Sequence, residues 1–213
     1  NQISASGQSW QFAYSSGWRS WEADPFLNRV NHGFTWEGRP GWRTDRDGAF
    51  HERAYDNRGH VVTNTDPLGR LTVGRFDASN RLTSVTEAYG TSDARTTAFI
   101  YDALHRLAAI TNALGDVTTF VYDAQHRVVL TLLPGGASVT NVYDAHGLPT
   151  HTRVLDDGGR LLLGTTRVFD GRGLPTEVST TAAGTTRFRY DLAGQVTNIL
   201  DDLGRSTALA YDA

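Results

Sequence analysis

Two short stretches of this sequence each place an acid, an imidazole and a guanidinium within five residues. In YDALHRL (101–107) His105 follows Asp102 by three residues and precedes Arg106; YDAQHRV (122–128) repeats the pattern with Asp123 and His126. An imidazole beside a carboxylate is a common arrangement for general acid–base catalysis, and both groups also bind metals. The spacing therefore raises the question of whether a catalytic or metal site is present twice.

Composition excludes several other chemistries. All 20 basic residues are arginine, and the chain has no lysine and no cysteine. Schiff-base catalysis, a P-loop lysine, thiol nucleophiles and zinc–thiolate sites are therefore excluded. The net charge of −3 offers no excess of positive charge for nucleic acid. No apolar run reaches 18 residues, so we predict no membrane span and no nucleic-acid partner.

A repeat explains the two stretches better than a duplicated active site. An aromatic residue is followed directly by aspartate eight times, at intervals of 21, 25, 21, 21, 26, 21 and 21 residues. Internal periods of this length indicate repeat architectures. The pairs are Tyr55-Asp56, Phe76-Asp77, Tyr101-Asp102, Tyr122-Asp123, Tyr143-Asp144, Phe169-Asp170, Tyr190-Asp191 and Tyr211-Asp212.

A second column indicates what the repeat builds. Four residues after each of the first seven aromatics stands a residue type that tolerates positive φ, namely Gly59, Asn80, His105, His126, Gly147, Gly173 and Gly194. Aspartate, two variable residues and a left-handed position are typical of a type I turn with a bulge that closes a β-hairpin. A further glycine column about ten residues later predicts a second turn in each unit.

The segments between the turns have the length and composition of strands. Stretches such as RLTSVT and DVTTFVYD are rich in threonine, valine, leucine and aromatic residues. We therefore predict an all-β fold, a repetitive β-hairpin ribbon of units of about 21 residues. Its large side chains, for example Phe120 and Tyr122, share one face by the period of two.

The repeat extends over the whole chain, although the N-terminal part is degenerate. Phe34 stands 21 residues before Tyr55 and Gly38 occupies the turn column, with Thr35 in place of the aspartate. We predict one array over 1–213, with degenerate tryptophan-rich units in 1–54, regular units in 55–210, and the start of a further unit in 211–213. A chain that stops there is expected to be a fragment of a longer protein.

The motif YDxxGRL on a 21-residue period resembles the YD repeats of the Rhs proteins, which also occur in insecticidal toxin complexes and in teneurins. YDNRGHV, FDASNRL, YDALHRL, YDAQHRV, YDLAGQV, TDPLGRL and LDDLGRS carry the resemblance. It implies that the ribbon spirals into part of a hollow shell or barrel, which in bacterial members encloses a C-terminal toxin. The implied partners are the rest of a longer chain or an enclosed toxin domain, and the implied location is secreted or at the bacterial cell surface.

The number of units in this chain is too small to form a cargo-enclosing shell alone. About nine units give about 18 strands, or a sheet roughly 85 Å wide at about 4.8 Å per strand. Closed once, such a sheet would leave little lumen, so a cargo shell needs more units. The self-cleaving aspartate site of the family is not found either: DPLGR at 66–70 occupies an ordinary second-turn position.

The candidate residues therefore have structural roles in our interpretation. Gly and Asn replace His105 and His126 in other units, which favours turn positions over acid–base or metal chemistry. The aspartates are expected to cap turns rather than bind calcium, whose sites need several oxygen ligands in one loop. The arginines after the turns are expected to pair across strands. We predict no catalytic residue, metal site or cofactor.

The five tryptophans leave one alternative open. Buried rings would form a core or cap the end of a spiral, which we favour, whereas exposed rings would stack on sugars. The first hypothesis is a non-catalytic structural shell segment that encloses or presents a polypeptide cargo. The second is an adhesin or carbohydrate-binding module that uses Trp10, Trp18, Trp21, Trp36 and Trp42.

Overall fold

A computed structural model describes residues 2–3 and 9–212, and the remaining positions of the predicted end units lie outside the described residues. The predicted all-β ribbon of hairpins is confirmed: 20 strands and one 3₁₀ turn at Pro134–Gly136 make up the regular structure of the described residues. Among these residues no helix is long and apolar enough to cross a membrane.

The chain divides into two compact units. The first contains the described residues up to Phe99 together with Asn112–Leu114. Each of its strands pairs antiparallel with the next along the chain. The strands are β1 Gln2–Ile3, β2 Ser9–Ser15, β3 Trp18–Ala23, β4 Arg29–Phe34, β5 Pro40–Thr44, β6 Phe50–Tyr55, β7 Val61–Thr65, β8 Leu71–Phe76, β9 Leu82–Glu87 and β10 Arg95–Tyr101, whose last two residues belong to the second unit.

The second unit contains Ile100–Thr111 and the chain from Gly115 onwards. Its strands form the same antiparallel meander. They are β11 Leu107–Thr111, β12 Val117–Tyr122, β13 Val128–Leu132, β14 Ser138–Tyr143, β15 Pro149–Leu155, β16 Leu161–Phe169, β17 Pro175–Thr180, β18 Gly184–Tyr190, β19 Val196–Leu200 and β20 Ser206–Ala208.

The first turn of a unit is the one that follows the aromatic–aspartate pair, and the register shifts by one residue there wherever the pairing is described. Tyr122 pairs with Val128 while its neighbour Val121 pairs with Leu130, which leaves one extra residue in β13. Such a bulge is what a type I turn followed by a left-handed residue produces. Tyr55, Phe76, Tyr143, Phe169 and Tyr190 lie at the same kind of shift.

Few side chains are buried, because each strand has neighbours only within its own sheet. Among the residues whose burial is described, the buried ones are Ala23, Ala109 and Asp24. The residue just before the aromatic, such as Val121 or Val142, is exposed, while the aromatic and the residue two before it are half-buried. Stability therefore rests on strand pairing and cross-strand side-chain contacts rather than on a packed interior.

Candidate functional site

The first turns contain the Asp–His stretches, and their backbone accounts for the histidine. His105 and His126 both have φ of 65°, in the left-handed region, where Gly147 and Gly194 have φ of 85° and 83°. Asn80 occupies the same position in its own turn and has a φ of 64°. The imidazoles therefore occupy a position that the backbone geometry of the turn defines.

The aspartate of each turn is engaged by the turn itself. In the second stretch, Asp123 Oδ1 accepts the backbone N–H groups of Gln125 and Arg127, each at 2.9 Å. Its Oδ2 accepts the Arg127 side chain at 2.7 Å. Asp102 makes the equivalent three bonds. These contacts engage both carboxylate oxygens with groups of the turn itself, rather than with an imidazole.

Electrostatics also argues against a general base here. The backbone N–H of Arg127 lowers the pKa of Asp123, and the Arg127 side chain adds to this effect. The same causes, with Arg106 as donor, lower the pKa of Asp102. A carboxylate held ionised in this way is a weak base. The His126 ring lies instead 3.2 Å from Arg106 of the preceding turn, through Nδ1.

Consecutive first turns are joined by arginine and tyrosine, a contact that the sequence alone did not reveal. The Arg106 guanidinium lies 4.5 Å from the centre of the Tyr122 ring, and the Tyr122 hydroxyl donates to the Leu107 carbonyl at 2.7 Å. Arg127 and Tyr143 repeat the pair one unit later. The available signal was the constant spacing of 16 residues from arginine to tyrosine. The first-turn row is thus a structural seam.

One turn uses histidine in place of arginine. His60 Nδ1 lies 2.7 Å from Asp56 Oδ2, and the imidazole stacks on Phe76 with ring centres 4.2 Å apart. This hydrogen bond is the main cause that lowers the pKa of Asp56 to about 2. His60 therefore reproduces both contacts that arginine makes in other units.

No group of three or more histidine, aspartate or glutamate side chains in the described part of the chain could hold a metal ion. The remaining predicted repeat residues lie in first turns of the same kind. Asp77, Asp144, Asp170 and Asp191 accept backbone N–H groups of their own turns, and Gly59 and Gly173 have positive φ.

The tryptophans are not buried as expected. Trp36 is 94% exposed, Trp18 48% and Trp42 41%, so the expectation of a buried core is wrong for these three rings among the described residues. The cause is the single layer, since no second layer covers the rings. Trp10 and Trp21 are half-buried, under Arg46 and Arg29 respectively.

Four of the five tryptophans meet in one cleft of the first unit. Trp18, Trp21, Trp36 and Trp42 line a cavity of about 650 Å³ together with serine, asparagine and arginine side chains. Trp18 stacks on Phe34 with ring centres 5.3 Å apart. Trp10 does not line this cleft. Aromatic rings beside hydrogen-bonding groups are able to hold a ring-shaped polar ligand.

The RHS repeat family model matches residues 55–92, 101–138 and 169–205, which together are more than half of the chain. No curated protein matches the sequence significantly.

Solved structures of similar fold include several of TcdB2-TccC3. The chain is 16% identical to a chain of TcdB2-TccC3-TEV and 17% identical to one of TcdB2-TccC3-Cdc42, each with a TM-score of 0.55 over 91% of this chain and 12% of the other. TcdB2-TccC3 without its hypervariable C-terminal region gives 15% identity and a TM-score of 0.55, over 88% and 12%. The chain thus spans only about one eighth of these structures, and the likeness concerns the fold alone.

Proposed function

This chain belongs to the RHS repeat family, and from that premise we propose that it is a non-catalytic wall segment of a shell that encloses or presents a polypeptide cargo, such as a C-terminal toxin. The observation that carries the proposal is the set of first turns, in which each paired aspartate from Asp56 to Asp191 accepts a backbone N–H of its own turn. The wall acts sterically, by separating the cargo from proteases and solvent. We further propose that the shell is secreted or displayed at a bacterial surface.

The way in which such a wall is assembled follows from the antiparallel pairing of each strand with its neighbours. Each strand contacts its two neighbours, so a wall of any width is assembled by adding units. The arginine–tyrosine contacts join consecutive turns, as where Arg127 lies 4.6 Å from the Tyr143 ring centre and donates to the Asp144 carbonyl at 3.2 Å. Such contacts keep the rim of the wall ordered without a packed core.

The test begins with the coding sequence that surrounds this segment. We expect further YD units on at least one side and a variable domain after the last unit. The full-length protein, treated with protease, should then release the variable domain intact only after the wall is cut. A stop codon directly after residue 213 with no further units before residue 1, or a variable domain that is degraded before the wall, would contradict enclosure.

A second candidate, a carbohydrate-binding adhesin, is favoured by the tryptophan cleft. Trp18 and Trp42 also pack against Phe34 and Phe50, so their removal affects folding. Trp36, almost fully exposed, is the better probe. Glycan-array binding that is lost in Trp36→Ala, while urea unfolding is unchanged, supports this function. Absence of binding to any glycan excludes it.

A further inference from the structure

A row of basic side chains lies on the aromatic-bearing face of three neighbouring strands in the first unit. His32 in β4 pairs with Arg43 in β5, and Arg43 pairs with His51 in β6. Arg53 follows two residues after His51 and therefore points to the same face. Directly opposed side chains in a sheet lie about 5 Å apart, as for His32, Arg43 and His51, and Arg53 is a diagonal neighbour of Arg43 at about 7–8 Å, within reach of a long side chain.

These four side chains line a concave pocket of about 370 Å³. Gly41 forms part of its floor and Phe34 part of its wall, and none of the lining residues is acidic. A side chain larger than glycine at position 41 would occupy this space. The pocket is thus large enough for a small ligand and is lined on one side by cations.

The positive charge of the row is only partly balanced. Asp45 accepts the Arg43 guanidinium at 2.7 Å and the His51 Nε2 at 3.0 Å. Arg53 has one contact, from its Nε to the Asn64 Oδ1 at 3.2 Å, and neither Arg53 nor His32 has an ion pair among the described residues. Glu52 lies between His51 and Arg53 in β6 and so points to the opposite face. Several guanidinium N–H groups remain available.

Equivalent positions in other repeat units show that the fold does not require basic side chains here. The row Phe188, Ile199 and Thr207 has the same register as His32, Arg43 and His51. Phe120, Thr131 and Val139 form a second equivalent row. Cross-strand apolar contacts stabilise a sheet, so a basic row in place of an apolar one carries a cost in stability. A ligand that bears negative charge would offset that cost.

We infer that this pocket binds a small ligand through an oxyanion, a carboxylate, sulfate or phosphate group, held by Arg43 and Arg53 and flanked by the two imidazoles. The planar guanidinium group matches these anions with paired N–H donors. The body of the ligand lies over Gly41 against Phe34. The pocket shares His32, Gly33, Phe34 and Trp42 with the tryptophan cleft, whereas Arg43 and Arg53 line the pocket alone. Binding there does not depend on the enclosure of a cargo.

The experiment is a titration of the full chain followed by the imidazole NMR signals. The probes are sodium sulfate, inorganic phosphate and glucuronate, with glucose as the uncharged control at constant ionic strength. We expect the anions, and not glucose, to shift the His32 and His51 signals while those of His146 and His151 stay unchanged. Stronger binding of glucuronate than of sulfate or phosphate identifies an acidic sugar, and the reverse identifies an inorganic or ester oxyanion.

The test variants replace each arginine by the type of residue that other repeat units carry at the equivalent position. Arg43→Ile and Arg53→Phe should each weaken binding by about tenfold or more, since each removes a charge-assisted contact. Arg53→Gln retains a donor toward Asn64 and serves if Arg53→Phe fails to fold. Arg189→Ile, on the exposed face of β18, should bind as the unchanged chain does. Uniform shifts of all histidines, no shift at about 50 mM probe, or folded Arg43 and Arg53 variants with unchanged affinity would overturn the inference.

Discussion

The Arg106 guanidinium lies 4.5 Å from the centre of the Tyr122 ring, although the two residues belong to successive turns. Arg106 is at the same time bonded to Asp102 of its own turn at 2.7 Å. One side chain thus closes its own hairpin and fixes the next one. This double contact makes the stability of each turn depend on its neighbour.

Tyr122→Ala should therefore destabilise the chain by about 2 kcal/mol, through loss of a half-buried ring and its cation–π contact. The value is below that of a fully buried ring because the sheet has only one layer. Tyr122→Phe should cost about 1 kcal/mol, for the hydrogen bond to Leu107 alone. Urea unfolding measures both, with Val121→Ala on the exposed face as the control; an equal effect of Val121→Ala would contradict the role of the ring.

The positive φ of His126 predicts that glycine is tolerated at this position and that a β-branched residue is not. His126→Gly should change the free energy of unfolding by less than about 0.5 kcal/mol, whereas His126→Val should destabilise by about 1–2 kcal/mol, since a β-branched residue is strained at positive φ. Thermal or urea unfolding distinguishes the two. Loss of folding in His126→Gly would show that the imidazole has a role beyond the turn.

Acid should weaken the seam. The folded-state pKa of Asp56 is about 2, lowered mainly by His60, and hydrogen bonds lower those of Asp66, Asp77, Asp102 and Asp123 as well. A carboxyl group with a depressed folded-state pKa contributes stability that is present above its unfolded pKa, near 4, and lost as the pH falls through the folded value.

We therefore expect the urea midpoint to fall between about pH 4 and pH 2. Asp56→Asn should remove part of this dependence. Asp157→Asn, at an exposed turn tip, should not, because Asp157 has no hydrogen bond or ion pair among the described residues. A midpoint that is constant from pH 6 to pH 2 would refute the contribution of the carboxylates.

The packing of Trp42 depends on a missing side chain. A Cβ at Gly33 would overlap the Trp42 indole, whereas a Cβ at Gly41 would meet its nearest atom at 3.6 Å. Gly33→Ala should therefore displace the indole and cost about 1–3 kcal/mol, while Gly41→Ala should cost much less. Near-ultraviolet circular dichroism and urea unfolding report on both; identical behaviour of the two variants would contradict this packing.

Much of this fold could be predicted from the sequence because the repeat displays it many times. The aromatic–aspartate period located the strands, and the RHS family resemblance is confirmed. The exposure of Trp36 could not be predicted, because hydropathy assumes that a second layer covers apolar residues. The Arg106–Tyr122 contact and the His32–Arg43–His51 row depend on register, which a sequence pattern fixes only after the bulges are known.

The two-stranded hairpin unit has an evolutionary consequence. Each unit of about 21 residues contributes two strands, an even number, so insertion or deletion of one unit leaves every other side chain on its original face. Gene duplication can therefore lengthen or shorten this protein one unit at a time without refitting the residues on either side. The number of strands in the sheet is open to selection independently of the residues on its faces.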